Sequence, residues 1–178
     1  MSGYLLYRMG DHRGQGDGKL SPIGYGFPEL LERSRTFLYH SEDSQSLYEK
    51  RQQEFQRNVP ETEVCTERLL CCFLYSFVMP GFYDGDFYTK AKMAVFDAVA
   101  AEELEMAEYF IDSEEEELCA AEDFKDFEKD ERILRFSRTA YLFARQIENS
   151  AENKDLLEQL LKQPEFGIRR IIETKSWF

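Results

Sequence analysis

The sequence contains few of the residues that mark exported, disulfide-bonded or metal-binding proteins. It has two histidines, five prolines and four cysteines, and the cysteines match neither a disulfide framework nor paired C-x-x-C metal spacing. Its N-terminus has no basic stretch leading into an apolar one, and the apolar run from Leu69 to Met79 is shorter than the roughly 20 residues that span a bilayer. We therefore expect a soluble cytoplasmic protein with reduced thiols and no membrane partner.

Catalytic motifs are equally scarce. No nucleophile elbow, H-E-x-x-H sequence or EF-hand loop is present, and the glycine-rich segment from Gly14 to Lys19 lacks the spacing of a P-loop. Glu105, Glu108 and Asp112 recur at helical spacing, but no histidine accompanies them as in di-iron helix bundles. We expect these carboxylates to be solvated.

The negative charge of the chain is concentrated in one window. The net charge is −13, and the residues from Glu102 to Glu131 include fifteen acidic side chains but only two lysines. Such a field repels phosphates and attracts basic surfaces, so we expect no direct binding of nucleic acid. The window is either a solvated helix face with an acidic loop or a docking face for a basic partner. Its candidate binding residues are Glu114, Glu115, Glu116, Glu117, Glu128, Asp130 and Glu131.

The N-terminal part differs in composition from the rest of the chain. Seven of the ten glycines lie in the first 26 residues, which excludes a long helix there. We interpret residues 1–26 as a glycine-rich irregular arm. Its segment Tyr4-Leu5-Leu6-Tyr7 either pairs as a short strand or plugs a groove with its aromatic side chains.

After Gly26 the apolar residues follow helical periodicity, and no window shows sustained alternation of period two. Residues 27–178 are therefore predicted to form one all-α, helical-bundle-like domain of about six or seven helices. The helix from Glu61 to Met79, stopped by Pro80, is apolar on most sides, so we place it at the centre with Cys71 and Cys72 buried. A capping box at Ser113 is expected to open a separate short acidic helix.

One cluster of polar residues surrounds a predicted helix junction. Arg145 and Glu148 are three residues apart and can pair on a helix surface, while Asn149, Ser150 and Asn153 can satisfy the free N–H groups of the next helix. A capping box from Asn149 to Glu152 is expected to open that helix. We interpret this cluster as a structural helix corner and as a candidate binding site.

The same pattern, Arg-x-x-Glu-x-Ser-x-x-Asn preceded by Tyr141, resembles the C-terminal signature of the flagellin lysine N-methylase family. The segment from Glu67 to Tyr75, the turn from Phe82 to Tyr88 and the stretch from Lys90 to Phe96 are similar to that family's apolar helix, aspartate-glycine turn and following helix. The resemblance covers roughly Asn58 to Pro164.

The resemblance implies an enzyme that transfers methyl groups from S-adenosylmethionine to flagellin lysines and holds an iron–sulfur cluster in a cysteine-rich segment toward its N-terminus. This sequence departs from that pattern, because Asn149 stands where the family tends to have histidine, and no cysteine-rich segment is present. We therefore expect no cofactor in this chain, and methyltransferase activity only if the cluster-binding segment is supplied elsewhere.

Two functions from different classes are compatible with these sequence features. The first is a non-catalytic helical domain, related to the C-terminal part of these methylases, that binds a protein with a basic surface such as flagellin. The alternative is an acidic inhibitor that imitates nucleic acid and occupies the basic groove of a DNA- or RNA-handling enzyme, as a phage-encoded anti-CRISPR or anti-restriction protein would.

Overall fold

The computed structural model describes residues 26–39, 44–119, 129–164 and 166–173, and every regular element within these ranges is an α-helix. The helices are α1 (Phe27–Tyr39), α2 (Ser44–Asn58), α3 (Glu61–Asp84), α4 (Phe87–Cys119), α5 (Lys129–Glu148), α6 (Ala151–Leu161) and α7 (Ile168–Glu173). The predicted all-α fold is confirmed. The N-terminal arm up to Tyr25 lies outside the described residues.

The central helix is α4, which has 33 residues and contacts each of the other six helices. Every residue from Phe96 to Ala107 is buried, so the helix is covered on all sides along these turns. The alanines Ala94, Ala98 and Ala101 are almost fully buried, and their small side chains let neighbouring helix axes approach closely.

The prediction that the apolar helix α3 lies at the centre was wrong. α3 packs one side against α4 through Phe73, Phe77 and Gly81, and its opposite side faces solvent. It also continues past Pro80 to Asp84, because a proline near the end of a helix removes only one backbone hydrogen bond. The helix ends where Gly85 adopts a left-handed conformation (φ 76°) and donates its N–H to the Gly81 carbonyl at 2.8 Å.

The predicted break at Ser113 was also wrong, since α4 is continuous to Cys119. The Ser113 hydroxyl donates to the Tyr109 carbonyl at 2.7 Å, one turn back in the same helix, instead of capping a new one. At the other end, the Thr89 N–H donates to the Asp86 carboxylate at 3.2 Å, which caps the start of α4.

The helices α3 and α5 run in the same direction on α4. An ion pair between Glu61 and Arg132, 3.2 Å apart, joins their first turns. Near their other ends, the Lys154 ammonium of α6 lies 5.6 Å from the centre of the Phe77 ring of α3. Since α6 follows α5 directly, the two contacts fix the relative height of α3 and α5.

Candidate functional site

The sequence-predicted corner between α5 and α6 is held by its own polar side chains. The Ser150 hydroxyl caps α6 by accepting the Asn153 N–H at 3.1 Å. The Asn153 side chain is buried and donates from Nδ2 to the Gln146 carbonyl at 2.9 Å, which ties the start of α6 back to α5. These two residues therefore have a structural role at the corner.

The other two residues of the pattern are not joined to each other. Arg145 is half-buried in α5, Glu148 is exposed at its end, and the structure records no ion pair between these two described side chains. The expected pairing on the helix surface is thus not formed. The four pattern residues lie at one corner, where Ser150 and Asn153 are bonded to each other and Arg145 and Glu148 are not.

Behind this corner lies a residue that the sequence analysis did not single out, Asp97 of α4. Its side chain is 0 % exposed, and neither carboxylate oxygen has a hydrogen-bond partner among the described residues. Burial raises the pKa of Asp97 well above its usual range; the charge of Glu148 adds to the rise and Lys154 opposes it. Asp97 is therefore a buried acid that favours its neutral form.

Three other acidic residues of α4, Glu102, Glu103 and Glu105, are buried, although Glu105 was expected to be solvated. Glu102 accepts a hydrogen bond from the Thr66 hydroxyl of α3 at 2.5 Å, and Glu103 accepts one from the Tyr48 hydroxyl of α2 at 2.8 Å. Because each acid reaches a donor on a different helix, these carboxylates connect α4 to its neighbours.

Glu105 forms the third of these connections, to α5. Its two oxygens accept from the Arg135 guanidinium at 2.7 Å and the Thr139 hydroxyl at 3.1 Å. Burial raises the pKa of Glu105, although Arg135 and Thr139 both favour its charged form. Perturbed carboxylates mark structural ion-pair networks as well as active sites, and this one is fully engaged by protein groups.

The described residues do not fit an iron–sulfur cluster. No three histidine, cysteine, aspartate or glutamate side chains within the described ranges are grouped to hold a metal. Cys65 is half-buried on α3, whereas Cys71 and Cys72 are exposed there, so the prediction that Cys71 and Cys72 pack in the core was wrong. The reason is that α3 lies at the edge of the bundle, with one side open to solvent.

The acidic window divides between structure and surface. Asp130 and Glu131 are exposed in the first turn of α5. Their negative charges stabilise the helix there by interacting with the positive end of its dipole. Glu114, Glu115, Glu116 and Glu117 lie in the last turns of α4, but their side chains and all of Glu128 lie outside the described part of the chain. Their candidate binding role stays a prediction.

The most exposed apolar feature of the described chain is the outer side of α3. The exposed fractions are 75 % for Tyr75, 68 % for Phe82 and 95 % for Tyr83. Residues at this spacing of three and four share one helix face. We define the α3 outer surface by its members: Cys71, Cys72, Tyr75, Met79, Phe82 and Tyr83.

Aromatic side chains continue this surface across the turn into α4. The rings of Phe82 and Phe87 meet edge to face with their centres 5.0 Å apart, and both are substantially exposed. Tyr88 follows and is also exposed, with the Lys92 ammonium 4.9 Å from the centre of its ring. The sequence does carry a signal for this surface, since no charged residue lies between Arg68 and Asp84. The same absence of charge is typical of a buried helix, which is how the sequence was interpreted.

On length and composition, α3 is also the one described helix that could cross a membrane. One such helix is weak evidence, because helices of soluble proteins satisfy the same criterion. Here α3 carries Thr66 and Glu61, which bond to α4 and α5 respectively.

Fold and surface together define an all-α domain with polar groups bonded between its helices and aromatic groups exposed on one side. Residues 4–169 match the family model described as the FliB lysine N-methylase C-terminal domain. The chain therefore belongs to this family. The match confirms the resemblance and extends it into the N-terminal arm, which the sequence motifs did not reach. No curated protein and no solved structure matches the chain.

Proposed function

We propose that this chain is a non-catalytic domain of the FliB methylase family that binds a protein through the α3 outer surface. The partner is a protein with a basic surface, and flagellin is the candidate that the family resemblance implies. The observation that carries the proposal is the row of exposed aromatic side chains on a helix face without charge.

Exposed aromatic and methionine side chains in one patch are typical of binding surfaces. Monomeric proteins rarely expose large contiguous apolar patches, and tyrosine, phenylalanine and methionine are enriched at the centres of interfaces. Tyr75, Met79 and Tyr83 lie within two to three turns of one helix, so they can contact a partner together. The Tyr83 side chain is 95 % exposed and therefore adds almost nothing to the core. This exposure supports a role in binding and not in folding.

The charge of the chain favours a protein over a membrane as partner. At a net charge of −13 the chain is repelled by anionic lipid surfaces, and it attracts proteins with basic surfaces. In addition, the bonds of α3 to Glu102 and Arg132 hold this helix in the bundle.

A binding assay with purified monomeric flagellin from the source organism tests the proposal. The full chain is titrated onto immobilised flagellin, and the double variant Tyr75→Ala, Tyr83→Ala is compared with wild type. We expect the double variant to bind at least about tenfold more weakly, because aromatic residues at interface centres contribute most of the binding energy. The matched control is Tyr141→Ala, which removes an exposed tyrosine from α5 and should leave affinity unchanged.

Other outcomes count against the proposal. If wild type does not bind flagellin at about 100 µM, flagellin is not the partner. If wild type sediments with vesicles of anionic or neutral lipids and the double variant does not, the α3 outer surface binds membranes and not a protein. Equal losses in the double variant and in Tyr141→Ala would show that the α3 outer surface has no special role.

The nucleic-acid-mimicking inhibitor is the alternative, and it stays a prediction. It requires the side chains of Glu114 to Glu117 and of Glu128 to form a surface that competes with nucleic acid. Reversing the charge of Glu115, Glu116 and Glu117 together tests it: weaker binding to a basic partner and a weaker salt dependence would support it.

A further inference from the structure

We propose that a second copy of this chain binds the α3 outer surface, with the two α3 helices packed antiparallel about a two-fold axis beside Tyr75. The proposal rests on the surface named in the proposed function, so the dimer and a complex with flagellin exclude each other. Its test needs no flagellin, and either one can therefore fail without the other.

The surface is complementary to itself. Arg68 is exposed on the same helix face and has no ion-pair partner among the described residues. It lies about two turns before Tyr75, while Phe82 and Tyr83 lie about two turns beyond Tyr75. A two-fold axis beside Tyr75 therefore places the guanidinium of each copy against the two exposed rings of the other. Such a cation on aromatic rings is attracted by them, and the symmetry forms the contact twice.

The antiparallel direction follows from the position of this charge. In a parallel pair, Arg68 of one copy would face Arg68 of the other, and the two cations would repel each other. In the antiparallel pair, the small Cys71 side chain faces the longer Met79, because they lie four residues on either side of Tyr75. No acidic residue lies between Arg68 and Asp84, so the groups behind the net charge of −13 stay outside the centre of the contact, where salt screens them.

The exposed area is sufficient for a weak dimer. Tyr75, Phe82 and Tyr83 are each at least two-thirds exposed. Because a fully buried aromatic residue contributes about 150–250 Å², these three offer on the order of 500 Å² per copy, and Arg68 and Met79 add to this area. A standard interface buries about 800 Å² per partner, so this contact belongs to the smaller, reversible interfaces.

Analytical ultracentrifugation of the full chain in about 0.15 M NaCl tests the proposal. We expect wild type to show a monomer–dimer equilibrium with a Kd of about 1–100 µM. Arg68→Glu and Tyr83→Arg should each weaken dimerisation at least about tenfold, since the first places a carboxylate against aromatic rings and the second places a cation against Arg68. Both side chains are exposed, so the Tm of each variant should stay that of wild type.

The double variant Arg68→Glu, Tyr83→Arg separates this contact from any other. The two positions are 15 residues apart in one helix, about 22 Å, so the new charges cannot pair within one copy. In the antiparallel dimer they face each other across the interface, and the Kd should return to within about threefold of wild type. The matched control is Tyr141→Arg, which adds the same charge at an exposed tyrosine of α5 and should leave the dimer unchanged.

Three results would overturn the proposal. The first is a wild-type chain that stays monomeric at about 500 µM. The second is a double variant as weak as the single variants, because the contact would then have another register or direction. The third is an equal loss in Tyr83→Arg and Tyr141→Arg, because net charge and not the α3 outer surface would then govern association. A dimer with the expected responses that does not bind flagellin supports this proposal and contradicts the proposed function.

Discussion

Replacing Asp97 by asparagine should stabilise the protein at neutral and alkaline pH. The carboxylate is fully buried and neither oxygen is hydrogen-bonded within the described residues, so its ionised form is not compensated. Asparagine has nearly the same shape and carries no charge, although its amide stays buried. Because an unpaired buried charge costs more than an unpaired buried amide, we expect the substitution to raise the free energy of unfolding by about 1–3 kcal/mol at pH 8.

The effect of Asp97→Asn on stability should depend on pH, and the raised pKa of Asp97 sets its direction. Because the pKa of Asp97 is raised in the folded state, mainly by burial, the folded protein binds this proton more tightly than the unfolded chain does. Wild type therefore loses stability as the pH rises above about 4, the pKa of an unfolded aspartate, until the pH passes the folded value. Asparagine does not titrate, so the difference between the two proteins should grow from near zero at pH 4 toward its full size at higher pH.

Thermal unfolding of both proteins between pH 4 and pH 8 measures this difference. For a chain of this length the expected gain raises Tm by about 2–12 °C at pH 8. Asp155→Asn, a substitution at an exposed aspartate of α6, is the control and should change stability by less than about 0.5 kcal/mol. A lower Tm for Asp97→Asn at pH 8 would refute the reasoning and indicate that Asp97 is ionised and paired in solution. A gain that does not depend on pH would also refute it, because the pKa of Asp97 would then not differ between the folded and unfolded states.

Two further predictions concern the bonds between helices. Arg135→Ala should destabilise the fold by about 3–5 kcal/mol in urea unfolding, because it leaves the buried Glu105 without its cation, while Arg138→Ala on the exposed side of α5 should have little effect. At the corner, Ser150→Ala should lower the free energy of unfolding by about 1 kcal/mol and Asn153→Ala by about 1–3 kcal/mol, measured by thermal melts. Equal stability of these two variants and wild type would contradict the role assigned to the corner.

Elements with a single apolar face were predictable from the sequence. In α5 the spacing of Ile133, Phe136, Ala140, Phe143 and Ile147 predicted one buried side; the last four are buried, whereas Ile133, in the first turns of the helix, is 36 % exposed. The cap of α6 was predicted one residue too early, at Asn149 with Glu152, whereas the Ser150 hydroxyl accepts the Asn153 N–H. The end of α3 could not be predicted from the sequence, because the turn after Pro80 is held by tertiary packing. Gly81 in this turn is buried close to Phe87 of α4.

The buried acids could not be predicted because their partners are distant in sequence. Glu102 reaches Thr66 and Glu105 reaches Arg135, and periodicity alone assigns such carboxylates to solvent. For Asp97 the only signal was a single charge within the otherwise apolar and small residues from Met93 to Ala101. The exposed side of α3 was missed for the opposite reason, since a helix without charges has the composition of a core helix.

The polar bonds of α4 also constrain how the family can change in sequence. An alanine-rich helix surrounded by apolar neighbours could slide by one turn with little loss of contact, but a shift of about 5.4 Å would separate Glu105 from Arg135 and Thr139. Glu105 therefore fixes the register of α4 against α5, as buried polar residues do in coiled coils. Substitutions at the two ends of each bond should consequently occur together: a relative with an apolar residue in place of Glu105 should also lack the cation of Arg135.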